Sequence, residues 1–260
     1  MTPKWCIDRI NKKLPDRVED FRLERKGADK YPPGIIGIPV HFLGRYREFE
    51  LCLTNLMFPE GTSPAWGAGQ NTAKNMNDMA REMLSNDRYQ WLWIIGDDHV
   101  FPPDIILQLL KADKDVIVPF CCRRKYPYIP TIHDSDDDGY GDKKWKTVDY
   151  EWFVGKDGLV SLKDTKKIAG NAGMLIKRKV FETIPDPWFE MGKIHSEYGS
   201  PDLWFAKKVI DHGFDIWLDM NHPIGHITHV AVWPYLDNDK WKAEMRYPYD
   251  VWGERGLIVD

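Results

Sequence analysis

Residues Trp91–Asp104 read WLWIIGDDHVFPPD. Five large apolar residues, Trp91 to Ile95, run without interruption. That is the pattern of a short strand buried on both faces. Gly96 stops the run, and Asp97, Asp98 and His99 follow at once. Neighbouring carboxylates repel, and taking each out of water costs on the order of several kcal/mol unless a cation or hydrogen-bond donors compensate. A divalent cation removes that difficulty. Oxygen ligands together with an imidazole suit Mn²⁺ better than Ca²⁺. The alternative is a plain turn in which an Asp caps the next helix. Spacing and composition alone leave both readings open.

Working outward, the flanks alternate in period. Gly34–Val40 (GIIGIPV) is a short apolar run expected as a buried strand, and Arg45–Leu56 as a helix. Ser63–Gly69 reads as a weaker strand. Ala73, Met76, Ala80, Met83 and Leu84 put helical spacing on Asn71–Leu84. Pro102 and Pro103 are expected to open a helix whose stripe is Ile105, Ile106, Leu109 and Leu110. Asp115–Pro119 (DVIVP) is another buried strand. Strand and helix in alternation imply a mostly parallel sheet, with ligands bound at the carboxyl ends of its strands. Asp97 to His99 fall at such an end. Thr131–Thr165 looks irregular and antiparallel. Asn171–Lys177 is a strand, followed by a short helix to Ile184. Ser200–Asp211 is a helix with Ser200 as N-cap, Pro201 first and Gly213 as its stop. Asp215–Met220 and Ile227–Val232 are expected strands.

The 260 residues, 43% hydrophobic, suit one globular core. We expect a single domain, divided as 1–33 (extension), 34–120 (nucleotide-binding half), 121–232 (second half) and 233–260 (C-terminal extension). A formal net charge of −4 gives no support for a nucleic-acid-binding face. The cysteines, Cys6, Cys52, Cys121 and Cys122, form no C-x-x-C pair and no zinc spacing with His. Reduced thiols, no apolar run of the ~18–20 residues that span a bilayer, and no apolar segment near Met1 lead to the expectation of a cytoplasmic protein. The twelve tryptophans are core filler or stacking surfaces for sugars and bases.

The order of these motifs resembles the GT-A glycosyltransferases, closest to the family 2-like group and to versions found in phage genomes. The resemblance rests on WLWIIGDDHVFPPD, on AGNAGMLIKRKVFETIPDPWFE (Ala169–Glu190) and on SPDLWFAKKVIDHGFDIWLD (Ser200–Asp219). It spans roughly Gly34 to Val232. It implies an α/β, Rossmann-like fold: a mixed, mostly parallel central sheet flanked by helices, with a smaller antiparallel region on the acceptor side. It also implies a D-x-D or D-x-H motif holding Mn²⁺ or Mg²⁺ on the diphosphate of a UDP- or GDP-sugar. Asp97-Asp98-His99 matches the D-x-H form, so Asp97 and His99 are expected on the metal, with Asp98 toward the ribose or diphosphate. A late His, best matched by His226 rather than His229, is expected as a further ligand.

The same resemblance puts the nucleotide base against Pro39, Val40 and His41. Lys74-Asn75 takes the place of an Arg-Asn pair, keeping the charge but losing the planar fork. Asn171, Ala172 and Gly173 form the turn under the donor sugar, with Trp188 in the same donor and acceptor region. Asp202 aligns with the Asp of a Glu-Asp pair that deprotonates the acceptor; Pro201 stands where Glu is usual. Glu197 and His195 are substitutes. On the residues alone, Asp202 is also a favoured first-turn acid, and Gly173 a strand bulge. Arg123 and Arg124 either grip a phosphate or sit in a solvated basic turn. Asp134, Asp136 and Asp138 resemble the front of a calcium loop, but Trp145 falls where Glu is required.

The expected activity is transfer of a sugar to an acceptor hydroxyl with inversion. The acceptor is a glycan, a small molecule or a hydroxymethylated DNA base. DNA modification would need a groove lined by Arg123, Arg124, Lys143 and Lys144, and in a phage-encoded enzyme it would take place in the host cytoplasm. The competing readings are a sugar nucleotidylyltransferase and a non-catalytic carbohydrate-binding protein. The first wants a Gly-rich, Arg-containing loop, where His41–Tyr46 has only one Gly and one Arg.

Overall fold

The computed structural model describes residues 30–40, 45–69, 71–124, 128–134, 146–191, 200–228, 231–237, 240–246 and 257–258. The chain forms two compact units, residues 1–226 and 227–260. In chain order the first unit holds β1 (Ile35–Val40), α1 (Arg47–Thr54), β2 (Ser63–Ala68), α2 (Thr72–Leu84), β3 (Trp91–Ile94), β4 (His99–Val100), α3 (Ile105–Lys111) and β5 (Val116–Pro119). It continues with β6 (Ile132–Asp134), a 3₁₀ turn (Tyr150–Phe153), β7 (Leu159–Ser161), β8 (Lys167–Ala169) and β9 (Met174–Lys177). The last elements are α4 (Arg178–Thr183), α5 (Pro201–Asp211), β10 (Ile216–Asp219) and β11 (Gly225–His226). The second unit is an antiparallel ladder of β12 (Ala231–Asp237), β13 (Lys240–Arg246) and β14 (Leu257–Ile258). No helix among the described residues is long and apolar enough to cross a membrane.

The central sheet has seven strands in the order β2-β1-β3-β9-β5-β10-β7. β2, β1, β3, β5 and β10 share one direction, while β9 and β7 run against it. The fold is therefore mixed α/β with a mostly parallel sheet. β3 sits inside it, and Trp91 through Ile95 are at most 1% exposed. The unbroken apolar run of the sequence is the signature of that position.

Several elements match their expected spans to within a residue or two, and three differ. The helix expected from Pro102 begins only at Ile105. A residue preceding proline is pushed out of the helical region, so Pro102-Pro103 makes a turn first, closed by Ile105 N–H on the Pro102 carbonyl. Ile227–Val232 is not one strand: pairing ends at His226 and resumes at Ala231. MLIK, within the expected strand Asn171–Lys177, is inserted antiparallel between two parallel strands. Gly173 precedes it at φ 73°, a left-handed conformation that favours glycine.

α2 anchors the region around Trp188. The Asn77 side chain, 6% exposed, accepts from the Trp188 and Phe189 amides and donates to the Phe189 carbonyl. Arg81 makes a two-pronged contact with Asp186. Replacing Asn77 by Ala strands three buried backbone groups, each costing ~1–3 kcal/mol. Asn77→Ala is expected to lower stability by about 3 kcal/mol in urea unfolding. A loss below about 0.5 kcal/mol, the range of ordinary surface substitutions, would contradict this anchoring role.

Candidate functional site

In a parallel sheet, the strand ends and the loops after them gather at one edge. β1 ends there with Pro39 and Val40, β3 leads into Gly96–His99, and β5 leads into Cys121–Arg124. β9 is antiparallel, so its start reaches the same edge and brings Asn171–Gly173 with it. A cleft of about 990 Å³ opens at this edge. Strand ends supply Pro39, Val40, Gly96, Asp97, Asp98, His99 and Arg124 to its lining. Asn71, Thr72, Asn75 and Met76 come from the start of α2. Gly69, Asn171, Met191, Ser200, Pro201, Asp202 and His226 complete it. The volume lies in the range of small-ligand sites, ~300–1,000 Å³.

Backbone pairing assembles the charged cluster. β4 pairs antiparallel with β11 in a register that sets His226 directly opposite His99. The two rings stack, 4.3 Å between centroids and 18° between planes. Two glycines permit this. A Cβ on Gly225 would lie 2.6 Å from Val100 Cγ2, and one on Gly96 would lie 2.7 Å from Asp98 Oδ1.

Asp98 is the hub. Its Oδ1 lies 3.0 Å from His99 Nδ1. Its Oδ2 lies 3.1 Å from His226 Nε2 and accepts from Arg124 Nη1 at 2.7 Å. Burial raises the Asp98 pKa, but hydrogen bonds from His226 and His99 outweigh it and hold the carboxyl well below the usual carboxylate range. Asp97, 8% exposed, lines the cleft beside it. It is thus the Asp98 carboxylate that meets both imidazoles, whereas the D-x-H pattern pairs Asp97 with His99.

The ring nitrogens fit a cation. His99 Nδ1 lies 3.2 Å from the Gly96 carbonyl, and His226 Nδ1 lies 3.1 Å from the Cys122 carbonyl. A carbonyl only accepts, so each Nδ1 carries the hydrogen and each neutral ring keeps its lone pair on Nε2. His99 Nε2 is buried with no hydrogen-bond partner among the described residues. His226 Nε2 aims its lone pair at a carboxylate, which is attractive only with positive charge between them: a second ring proton or a metal ion. Histidines that donate through one nitrogen to a carbonyl and offer the other are the usual metal-binding arrangement. Cys121, 2% exposed, adds a sulfur: its Sγ and a ring nitrogen of His99 and of His226 all lie within 4.8 Å of one another. Burial pushes the Cys121 thiol pKa up.

Asp202 stands on the opposite wall, in the first turn of α5. Its carboxylate accepts from the Asn171 amide at 2.6 Å and from the Ser200 hydroxyl. Asn171 in turn accepts the Met174 amide, which fixes the turn into β9. Burial pushes the Asp202 pKa up, and the amides of Asn171, Asp202 and Leu203 offset part of the rise. The result is a carboxyl group poised toward the protonated form, a property shared by proton-accepting groups of many sites.

Other expected residues fall elsewhere. Asn75 lines the cleft, but Lys74 is exposed and pairs with Asp78. Ala172 is fully buried, and the Gly173 carbonyl accepts from Trp93 Nε1. Trp188, expected near the donor and acceptor, lies in the core and not in the cleft lining, with its indole N–H on the Phe181 and Ile184 carbonyls. Arg123 turns away to Thr147, whereas Arg124 enters the cleft. Asp134 pairs with Lys167. His41, Lys143, Lys144, His195, Glu197, His229 and the rest of the Asp134–Asp138 loop lie outside the described residues. Cys121 was not expected. Its only sequence signal is its place two residues past the buried strand DVIVP.

No family model and no curated protein sequence matches the chain. Among solved structures, the crystal structure of A197 from STIV is similar at 13% identity and a TM-score of 0.48, over 88% of this chain and 95% of that one. The crystal structure of GalNAc-T7 with UDP, GalNAc and Mn²⁺ is similar at 12% identity and a TM-score of 0.45. That match covers 76% of this chain and 44% of the other, so the chain spans less than half of that protein's length. Likeness at this level concerns the chain trace alone.

A raised carboxyl pKa has a thermodynamic signature. Above about pH 4 the unfolded Asp202 has lost its proton while the folded one still holds it, so the folded state binds more protons. Wild-type stability is therefore expected to fall, relative to Asp202→Asn, as pH rises from about 4 through the folded pKa. Paired urea melts across that range check this; a difference that does not change with pH would contradict the burial of the carboxylate.

Proposed function

We propose that the chain is a metal-dependent glycosyltransferase that moves a sugar from a nucleotide-diphosphate sugar to an acceptor hydroxyl. One observation carries the reading: a single cleft at the carboxyl ends of the parallel strands holds a cation-seeking cluster on one wall and the half-buried Asp202 carboxylate on the other. The resemblance of the sequence motifs to GT-A enzymes supports it.

Asp98, His99 and His226, with Asp97 beside them, would hold a divalent cation. Such an ion, when bound, supplies charge that stabilises the departing nucleoside diphosphate. The remaining roles fall to side chains and backbone. Pro39, Val40 and Asn75 form the floor on which the nucleoside rests. Arg124, which lies against Asp98 in the cleft lining, brings positive charge to the phosphates. The Asn171–Gly173 turn, pinned by Asp202 and by the Met174 amide, lies under the sugar.

Asp202 accepts the proton of the acceptor hydroxyl as its oxygen bonds to the anomeric carbon. The bond from that carbon to the diphosphate oxygen breaks, and its electron pair leaves with the diphosphate. Attack from the Asp202 side, opposite the leaving group, inverts the configuration. The raised pKa suits a base, because proton affinity rises toward the working pH. The acceptor class is a hydroxyl compound. A hydroxymethylated DNA acceptor would bind with a steep dependence on salt, whereas a neutral glycan would not.

A screen of UDP- and GDP-sugars for divalent-ion-dependent transfer or hydrolysis tests the proposal. Asp202→Asn is expected to lower turnover by ~10²–10⁴-fold while donor affinity stays near wild type, since base catalysis contributes that much. Wild-type turnover in this variant would remove Asp202 from the reaction. Asp98→Ala is expected to abolish the thermal stabilisation that nucleoside diphosphate with Mn²⁺ confers on the wild type. Equal stabilisation in both proteins would place the cation elsewhere.

A further inference from the structure

A sulfur atom sits where the resemblance leads one to expect only oxygen and nitrogen donors. Cys121 follows β5, and its backbone is fixed by the amide and hydroxyl of Thr131, both on the Cys121 carbonyl. The side chain faces the His99–His226 stack, with the three ligand atoms within 4.8 Å of one another. The nearest polar partner of Sγ is the Cys122 carbonyl at 3.5 Å, a weak contact. A second observation points the same way. His99 is 4% exposed, and its Nε2 lone pair has no hydrogen-bond partner among the described residues. A buried imidazole with an orphaned nitrogen, on a ring that lies against an almost unpartnered thiol, is a costly arrangement in a protein interior unless a shared partner joins them.

We propose that Cys121 is a ligand of the cation held by His99 and His226, so that the centre selects Zn²⁺ or Co²⁺ over Mg²⁺ and Mn²⁺. The inference rests on the metal-dependent reading above and deepens it. Hard ions such as Mg²⁺ and Mn²⁺ favour carboxylate and water, whereas imidazole and thiolate together favour zinc and its neighbours. Two imidazoles, one thiolate and the Asp98 carboxylate make four donors, the number a zinc centre takes. Zinc–ligand distances of about 2.0–2.3 Å allow donors to lie no more than about 4.4 Å apart across one ion, slightly less than the present limit. Because the rings are stacked, one imidazole must also tilt for both to reach the same ion. Binding forms the metal–sulfur bond and breaks the thiol S–H bond, and the proton leaves to solvent.

The test uses the full chain, stripped of metal and titrated with Co²⁺, Zn²⁺ and Mn²⁺ separately. Bound Co²⁺ is expected to give the near-ultraviolet band of a thiolate-to-cobalt charge transfer. Cys121→Ser is expected to lose the band, and Cys122→Ser, whose thiol lies against Tyr150, to keep it. Loss of an outer partner of a metal ligand already costs ~10–100-fold in affinity, so Cys121→Ser is expected to weaken Zn²⁺ by at least tenfold. Mn²⁺ affinity should be nearly unchanged. Co²⁺ bound without the band overturns the sulfur ligand by a measurement on the wild type, whether or not the variants fold. Tight Mn²⁺ binding alongside that result would leave the metal-dependent reading standing and remove only the role of Cys121. Failure of all three ions to bind would overturn both.

Discussion

A carboxylate held in a protein wall must find positive charge or give up its own, and Asp98 meets this requirement from three directions. His99 approaches one oxygen, while His226 and Arg124 approach the other. These groups come from three separate segments, and the two imidazoles are delivered by backbone pairing rather than by side-chain packing. The β4–β11 register sets the two imidazoles face to face, and the loop after β5 brings the guanidinium. Were that pairing to slip by one residue, the histidine would pass to the other face of its strand and the carboxylate would lose a partner. The wall opposite is built by a similar device. Asp202 is turned inward by the Asn171 amide, so the helix start and the turn into β9 hold each other in place. The cleft lies between two carboxylates of opposite tendency, one held strongly ionised by its neighbours and the other held back from ionisation by burial.

Much of this frame was legible in the sequence, for local reasons. WLWII reads as a buried strand, while the polar residues at its end are left by their spacing alone between a site and a capped turn. The spacing over Asn71–Leu84 forms α2 as expected, and the Asn71 side chain caps it by accepting the Lys74 amide. Pro201 and Gly213 bracket α5 as they should. Other features were out of reach because they depend on partners distant in the chain. Nothing in MLIK says which way it will run, since a doubly buried strand carries no alternation and no mark of direction. Trp188 has the composition of a sugar platform, but Asn77, 111 residues away, pulls the preceding loop against α2 and buries the ring. Cys121 is an apolar-looking residue in an apolar stretch until His99 and His226 are folded against it.

The preference for Asp98 over Asp97 has the same origin. Sequence spacing treats the two as neighbours on equal terms. The geometry separates them, because Gly96 permits a turn tight enough to fold the second carboxylate back over β4, with no room for a side chain at the glycine. Which of two adjacent carboxylates meets the imidazoles is thus decided by the residue before them.

One consequence of the sheet order concerns how such a protein can change. β5 and β9 are immediate neighbours, and they run in opposite directions. The chain therefore leaves β5 at Phe120 and enters β9 at Met174 on the same edge, across a single strand spacing. The segment between is an excursion from one hairpin: β6 and β8 pair with each other, and β7 rejoins the central sheet beside β10. Its ends are fixed by the sheet, whereas its length is not, because lengthening a loop with anchored ends costs only about 0.6 kcal/mol per doubling. The excursion begins with the cysteine and arginine of one wall and ends in the Asn171 turn of the other. Evolution could lengthen, shorten or exchange its outer part, and so alter what the cleft admits, without moving a strand of the core.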